Sequence, residues 1–422
     1  MTAEKAMGTS SWLFRVFRLG LATIPYVSYV GMAGVGAALI GLLATYRRSG
    51  LNRLTHRSLL VLSGLMVLSS AIAYNRGEAF LQLANFLPYF VLFAMLPFLL
   101  PTLWHFERIA RDMVLTMLPI NLLGIVEYWL KSPRVPFALQ ATPFVQWLQS
   151  APHKGRAMVF FDHPNVYASY LVPIFGLGLG LLWQELVSRD RKPWTWSWKS
   201  PGLWVLLATV SCLPGIFASG SRNGLVVAIG QMVVFLVLLL LNRASKRAML
   251  GGILGIVAII GSAALLGIGG RSLSPATWAN DPRVNIWRIA LDLIRDRPLF
   301  GWGLGNYKIV YQTRDFDPAW PNIFHPHNMW LLLGSEAGLI ITIGLSALVG
   351  YFCYRAVMAM LVQPATSPSA AIMLGYLFGV GGCFAYALFD VTFYDVRVNL
   401  LNWLLLAGLY HFGQSKQAQR EP

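Results

Sequence analysis

Long apolar runs alternate with short polar breaks along the 422-residue chain, and many of the runs carry no charge. One of them, GLVVAIGQMVVFLVLLLL, fills positions 224–241. About 18–22 residues of helix cross the hydrocarbon core of a bilayer, so runs of this length read as membrane spans. The pattern predicts spans at 29–46, 58–74, 80–100, 109–130, 164–186, 202–218, 223–242, 248–268, 329–351, 371–390 and 398–413. None alternates in the ten-residue units of a membrane β-barrel. If the spans alternate in direction, the basic clusters YRRSGLNRLTHR, SRDRKPWTWSWK, NRASKR and SKQAQR share one side, which the Lys/Arg bias makes cytoplasmic. Arg15 and Arg18 belong on that side, as do the arginines of 47–57, so a further span is expected near 11–27. The expectation is an all-α polytopic integral membrane protein of about 12 transmembrane helices, with both ends of the chain inside.

Two long loops remain on the opposite face, at 131–163 and 269–328. The second contains NDPRVNIWRIALDLIRDRP. Asp281 suits a helix cap and Pro282 the first helical position. Ile286, Ile289, Ala290, Leu293 and Ile294 form an apolar stripe, and Pro298 ends the segment. This reads as an amphipathic helix at the outer membrane face. The glycines of PLFGWGLGNY, which follows, read as a tight ordered turn.

Composition agrees with a membrane protein: 56% of residues are hydrophobic and only 12% charged. There is no separate basic domain to bind nucleic acid, so the net charge of +16 points to cytoplasmic loops and to anionic lipids or substrates. Cys212, Cys353 and Cys383 all lie in apolar runs, which argues against a disulfide framework. Arginines interrupt SWLFRVFRLGLATIPYV where a cleavable signal would need an apolar core.

The outer loops are unexpectedly basic. They hold Lys131, Arg134, Lys154, Arg156, Arg271, Arg283, Arg288, Arg295, Arg297, Lys308 and Arg314. Long loops escape the charge rule, but an anionic ligand on that face explains the excess directly. Arg222 lies in the polar break ASGSRNGL, among small residues that let a ligand approach. An ordinary arginine in a tight interhelical turn would look the same. Arg283 falls in a first helical turn, where the helix dipole disfavours a cation and a bound phosphate would reverse that. Arg288 has Asp292 four residues on, a spacing for an exposed ion pair. In FHPHNMWLLLGSEAGL, His327 opens an apolar segment and is placed to take a proton from a hydroxyl; His325 stands second to it. Glu336 lies within that segment and needs a polar partner. Asp390, in ALFDVTFYDVRVNLLNW, either pairs with an arginine or orients the histidine. No metal-binding, P-loop or dinucleotide motif occurs, so no cofactor and no metal are expected, and arginines would have to hold any phosphate charge.

Together, DHPNVYASYL (162–171), SGSRNGL (219–225), RVNIW (283–287), PLFGWGLGNY (298–307) and HNMWLLLGSEAGL (327–339) resemble motifs of the bacterial O-antigen ligase and polymerase family, in the family's order. The resemblance covers roughly 150–350 and is nearest the lipopolysaccharide ligase branch. It implies a fold of the GT-C glycosyltransferase type in the cell inner membrane, with a periplasmic active site. The implied donor is a polysaccharide on undecaprenyl pyrophosphate, and the implied acceptor is lipid A–core oligosaccharide. His327 matches the motif histidine, implying a general base, and Arg222 and Arg283 match the two family arginines, implying pyrophosphate contacts. HPHN departs from the motif by offering a second histidine. An O-antigen polymerase or a protein O-oligosaccharyltransferase would share this core. A polytopic transporter or lipid flippase would fit the span count but would place its polar residues near the midplane.

Overall fold

A computed structural model describes residues 3–45, 54–132, 135–150, 153, 155–187, 200–242, 246–268, 283–318 and 320–414. Every regular element among the described residues is helical. In chain order the helices are α1 (Ala3–Thr23), α2 (Ser28–Thr45), α3 (Leu54–Ala71), α4 (Arg76–Gln82), α5 (Leu87–Leu99), α6 (Leu103–Leu130), α7 (Phe137–Gln140), α8 (Pro143–Ser150) and α9 (Pro164–Val187). They continue with α10 (Pro201–Ala218), α11 (Arg222–Leu241), α12 (Lys246–Leu266), α13 (Arg283–Asp296), α14 (Tyr307–Tyr311), α15 (Met329–Glu336), α16 (Leu339–Leu361), α17 (Pro368–Ala387) and α18 (Val396–Gln414).

Among the described residues, 8 helical stretches have the length and composition to cross a membrane: α2, the α4–α5 run, α6, α9, α10, α11, α16 and α17. The chain is therefore a multi-pass membrane protein. Shorter apolar stretches, His56–Ala71 and Ala248–Ala263, lie within α3 and α12. The basic clusters after α2, α9, α11 and α18 fall wholly or largely outside the described residues, as do Arg134, Lys154 and Arg271.

Helix α9 is the central post, packed against α6, α10, α11 and α17. Its run GLGLG gives the neighbours the space they need. A Cβ on Gly180 would lie 2.3 Å from Gly375 Cα of α17, and one on Gly178 would lie 2.4 Å from Thr209 Oγ1 of α10. In lipid, where apolar burial discriminates weakly between helix faces, such close backbone approach drives helix association.

The span expected at 329–351 is broken. Ala337 and Gly338 both donate to Leu333 O, ending α15, and Gly338 has φ of 84°. Only glycine adopts that conformation readily, and a Cβ there would meet Leu299 O at 2.2 Å. Hydropathy runs unbroken across this point, so the break leaves no mark on an apolar profile. The turn 298–306 fills it: Leu339 N donates to Pro298 O (2.7 Å), Trp302 N to Ser335 O (2.9 Å) and Gly303 N to Glu336 O (2.7 Å). After the break, α16 runs on to Leu361, past the expected end.

The amphipathic segment is helical, as α13. Ile286, Ile289, Ala290 and Leu293 are buried, and the helix packs on α15. The expected cap and first-turn proline, Asp281 and Pro282, lie outside the described residues.

Candidate active site

Three connections meet at one end of the bundle: the one leading into α9, the one leading into α15, and the α17–α18 loop. Asp390, in the last of these, is only 4% exposed. Its Oδ1 accepts from Val391 N (2.9 Å) and lies 3.0 Å from His327 Nδ1, while Oδ2 accepts from Asn165 Nδ2 (2.6 Å). Burial alone would push this carboxyl up. The His327 hydrogen bond and charge, with smaller help from His325 and the Val391 N–H, outweigh burial and hold it well below the usual carboxylate range. An ionised carboxylate only accepts, so Nδ1 of His327 carries the proton, and Nε2 is the nitrogen that offers a lone pair when the ring is neutral. The sequence left open whether Asp390 meets an arginine or the histidine; it meets the histidine.

The backbone is shaped around that contact. His327 has φ of 51°, a left-handed conformation costly for a residue with a Cβ. Its N–H donates to His325 Nδ1 (3.3 Å), and the two rings stand edge to face, 4.5 Å apart. Asn328 caps α15 through the N–H groups of Trp330 and Leu331 (both 3.0 Å) and donates to Leu388 O (3.0 Å), fixing the histidine turn to the end of α17. His325 is pushed down to about 4, chiefly by burial, with the charges of His327 and Arg283 among the smaller causes.

Both candidate pyrophosphate arginines begin helices at this end. Arg222 opens α11, whose N-cap Ser221 accepts from Gly224 N (3.2 Å) and lies 3.0 Å from the Tyr386 hydroxyl. That hydroxyl donates to Asn165 O (2.9 Å), and Asn223 donates to Phe389 O (3.3 Å). The turn bearing Arg222 is thereby tied to both sides of Asp390. Arg283 opens α13, which is pinned to the His325–His327 turn by Trp287 Nε1 donating to Pro326 O (2.8 Å).

Arg288 and Glu336 separate from this centre, while Arg156 reaches it through Asn165. Arg288 is exposed and donates to Asn285 Oδ1 (2.9 Å from Nη2). Asp292 pairs instead with Arg295 (2.8 Å), so the expected Arg288–Asp292 pair does not form; each partner is taken by a neighbour three residues away. Arg156 is engaged in structure, donating from Nε to Ser219 O (2.7 Å) and from Nη2 to Asn165 Oδ1 (2.5 Å). Buried Glu336 accepts from Tyr307 N (2.9 Å) and the Tyr394 hydroxyl (3.0 Å), and so anchors the 298–306 turn.

Several contributors carry no individual signal in the sequence. Asn165 and His163 sit in DHPNVYASYL, but the contact of Asn165 with Asp390 spans 225 positions. Arg397, buried in α18, binds Asp395 (2.6 Å), Asp162 (2.7 Å) and Phe160 O (2.7 Å), securing the segment before α9.

Donor atoms of His325, His327 and Asp390 lie within 4.8 Å of one another, a spacing that suits a cation. A cation bound through Nδ1 of either histidine would displace hydrogen bonds that already use those atoms. The hydrogen-bonded set instead resembles a base and its orienting carboxylate. Beside it, an apolar cavity of ≈ 390 Å³ runs between α15, α16, α17 and α18, lined by Trp330, Leu333, Val349, Phe384 and Trp403, and reaches Asp390.

A family model described as O-Antigen ligase matches residues 207–349, a stretch that includes Arg222, Arg283, His325, His327 and Glu336. No curated protein matches the chain. Over that part of the chain, the match supports a ligase- or polymerase-type, glycosyltransferase-like function in O-antigen biosynthesis for this membrane protein.

Proposed function

We propose that the protein transfers O-antigen polysaccharide from undecaprenyl pyrophosphate to a hydroxyl of lipid A–core at the periplasmic face of the inner membrane. His327 Nε2 takes the proton from the acceptor hydroxyl, and the oxygen attacks the anomeric carbon of the donor's first sugar. The bond from that carbon to the pyrophosphate oxygen breaks, and its electron pair leaves with undecaprenyl pyrophosphate. A single displacement inverts the anomeric centre. Asp390 orients the imidazole and stabilises the imidazolium that forms. Arg222 and Arg283 hold the pyrophosphate as it gains charge, so the reaction needs no metal. The cavity beside Asp390 suits the polyprenyl chain. In this reading α1, α3, α12 and α18 cross the membrane as well as the apolar helices, the whole is of the GT-C type, and 131–163 and 269–328 are periplasmic loops.

The observation that carries the reading is the His327–Asp390 pair (3.0 Å), at the same end of the bundle as the turns bearing Arg222 and Arg283. A lipopolysaccharide gel tests it, using cells that lack the gene and are complemented with wild type or His327→Ala. The expected result is bare core with accumulated lipid-linked O-antigen, relieved only by wild type. Core carrying a single repeat would instead identify a polymerase. An unchanged gel would move the function to another glycan, a protein acceptor or transport.

A further inference from the structure

The dipeptide His-Pro occurs twice in the chain, at 163–164 and 325–326, and both copies lie at Asp390. They fold alike. In each, the N–H two residues after the histidine donates back to its Nδ1: Asn165 N to His163 (3.0 Å) and His327 N to His325 (3.3 Å). In each, the side chain of that third residue then binds Asp390, Asn165 through Oδ2 (2.6 Å) and His327 through Oδ1 (3.0 Å). The carboxylate is gripped on both oxygens by twin turns from opposite ends of the sequence. The proline suits this turn, because it has no N–H to compete for Nδ1 and its ring fixes the backbone between histidine and third residue.

The hydrogen bonds settle the state of the leading histidines. A ring nitrogen that accepts an N–H cannot carry a proton itself, so His163 and His325 are neutral, with the hydrogen on Nε2. Protonation would turn Nδ1–H against a backbone N–H. The surroundings of His163 agree: burial, His153 (ring centroids 4.4 Å away), Arg156 and His327 disfavour its charge more than Asp390 favours it. The two turns have different arginine neighbours, and Asn165 accepts directly from Arg156 (2.5 Å). His325 lies close to Arg283, and the Asn165 turn is joined through Tyr386 and Ser221 to the start of α11 at Arg222.

We propose that His163 is a second active-site imidazole, a neutral donor that gives its Nε2–H to a phosphate oxygen of the glycosyl donor, while Asn165 positions Asp390 from the side opposite His327. This rests on the glycosyl-transfer reading above. A neutral donor aimed at an oxygen that gains charge acts mainly in the transition state, so its loss appears in kcat more than in the KM for the acceptor.

The test uses the full chain in lipid nanodiscs, with a polyprenyl-pyrophosphate oligosaccharide and lipid A–core as substrates, and initial rates measured across pH. His163→Ala is expected to lower kcat about 10²-fold without moving the acid limb of the pH profile. His163→Gln, which restores an N–H donor but no titratable group, is expected to recover at least about tenfold of that loss. Asn165→Leu is expected to lower kcat and shift the acid limb, because Asp390 loses one of its donors. A wild-type rate in His163→Ala, or a Gln variant no better than Ala, overturns the proposal. So does loss of folding in both variants, seen as a collapsed melting transition, since His163 would then be structural. Failure of the wild-type protein to transfer to lipid A–core or to a second lipid-linked glycan overturns the function reading and this proposal with it.

Discussion

Asp390 is the residue on which the site turns, and its environment gives it a defined titration signature. Its folded value is depressed, so its contribution to stability is complete above the ordinary aspartate value of about 4 and is lost as pH falls towards the depressed one. Replacing it with asparagine keeps the shape but removes the charge that fixes the His327 tautomer. Asp390→Asn is expected to lower kcat by about 10²–10⁴ with the fold retained, measured as transfer rate beside a melting curve. His163 and His325 act in the same acid direction over a different range. Each is held near 4 in the folded protein against an ordinary 6.5, chiefly by burial. The unfolded chain therefore binds more protons between these values, and stability falls as pH drops from 6.5 to 4. The melting temperature of detergent-solubilised protein should decline over that window, and the double variant His163→Gln/His325→Gln should flatten the decline. An unaltered slope in the double variant would contradict the assignment.

Among elements, the turn 298–306 and the break it fills decide where α15, and with it His327, is held. Gly338→Ala forces a Cβ against Leu299 O in a backbone conformation that disfavours it, and should cost more than about 2 kcal/mol by thermal unfolding. Glu336→Leu strands the Tyr307 N–H and the Tyr394 hydroxyl, costing about 1–3 kcal/mol for each buried group left unsatisfied. If Glu336 only supports this turn, the variant should lose stability while keeping the pH profile of whatever activity remains. Apolar periodicity made the helices legible, α13 included, because burial of Ile286, Ile289, Ala290 and Leu293 follows directly from their spacing. It could not show the broken span, since the signal at Gly338 is a backbone conformation within an apolar run. Nor could it show the Asp390 contacts. His327 is 63 residues away and Asn165 is 225, and no local pattern records which distant side chains meet. The ion pair expected from the i,i+4 spacing of Arg288 and Asp292 failed for a related reason: spacing permits a pair, but closer competitors decide it.

At the scale of the whole molecule, a multi-pass helical bundle gathers its chemistry at one end. The same end holds the candidate base, its carboxylate, two helix-opening arginines and an apolar cavity that reaches the carboxylate. The likeness to the O-antigen ligase model was legible in the order of short motifs, while the geometry that joins them required the fold. If arginines hold the pyrophosphate, chelation with EDTA should leave the transfer rate unchanged, whereas Arg222→Ala and Arg283→Ala should each lower it by at least about 10²-fold. A rate abolished by EDTA and restored by a divalent cation would instead assign a metal to His325, His327 and Asp390. The most direct measurement is single-turnover transfer by reconstituted protein, comparing wild type with His327→Ala at saturating donor and acceptor. His327→Ala is expected to bind donor with near wild-type affinity and to transfer essentially no glycan. Transfer by that variant at the wild-type rate would mean that His327 does not take the proton.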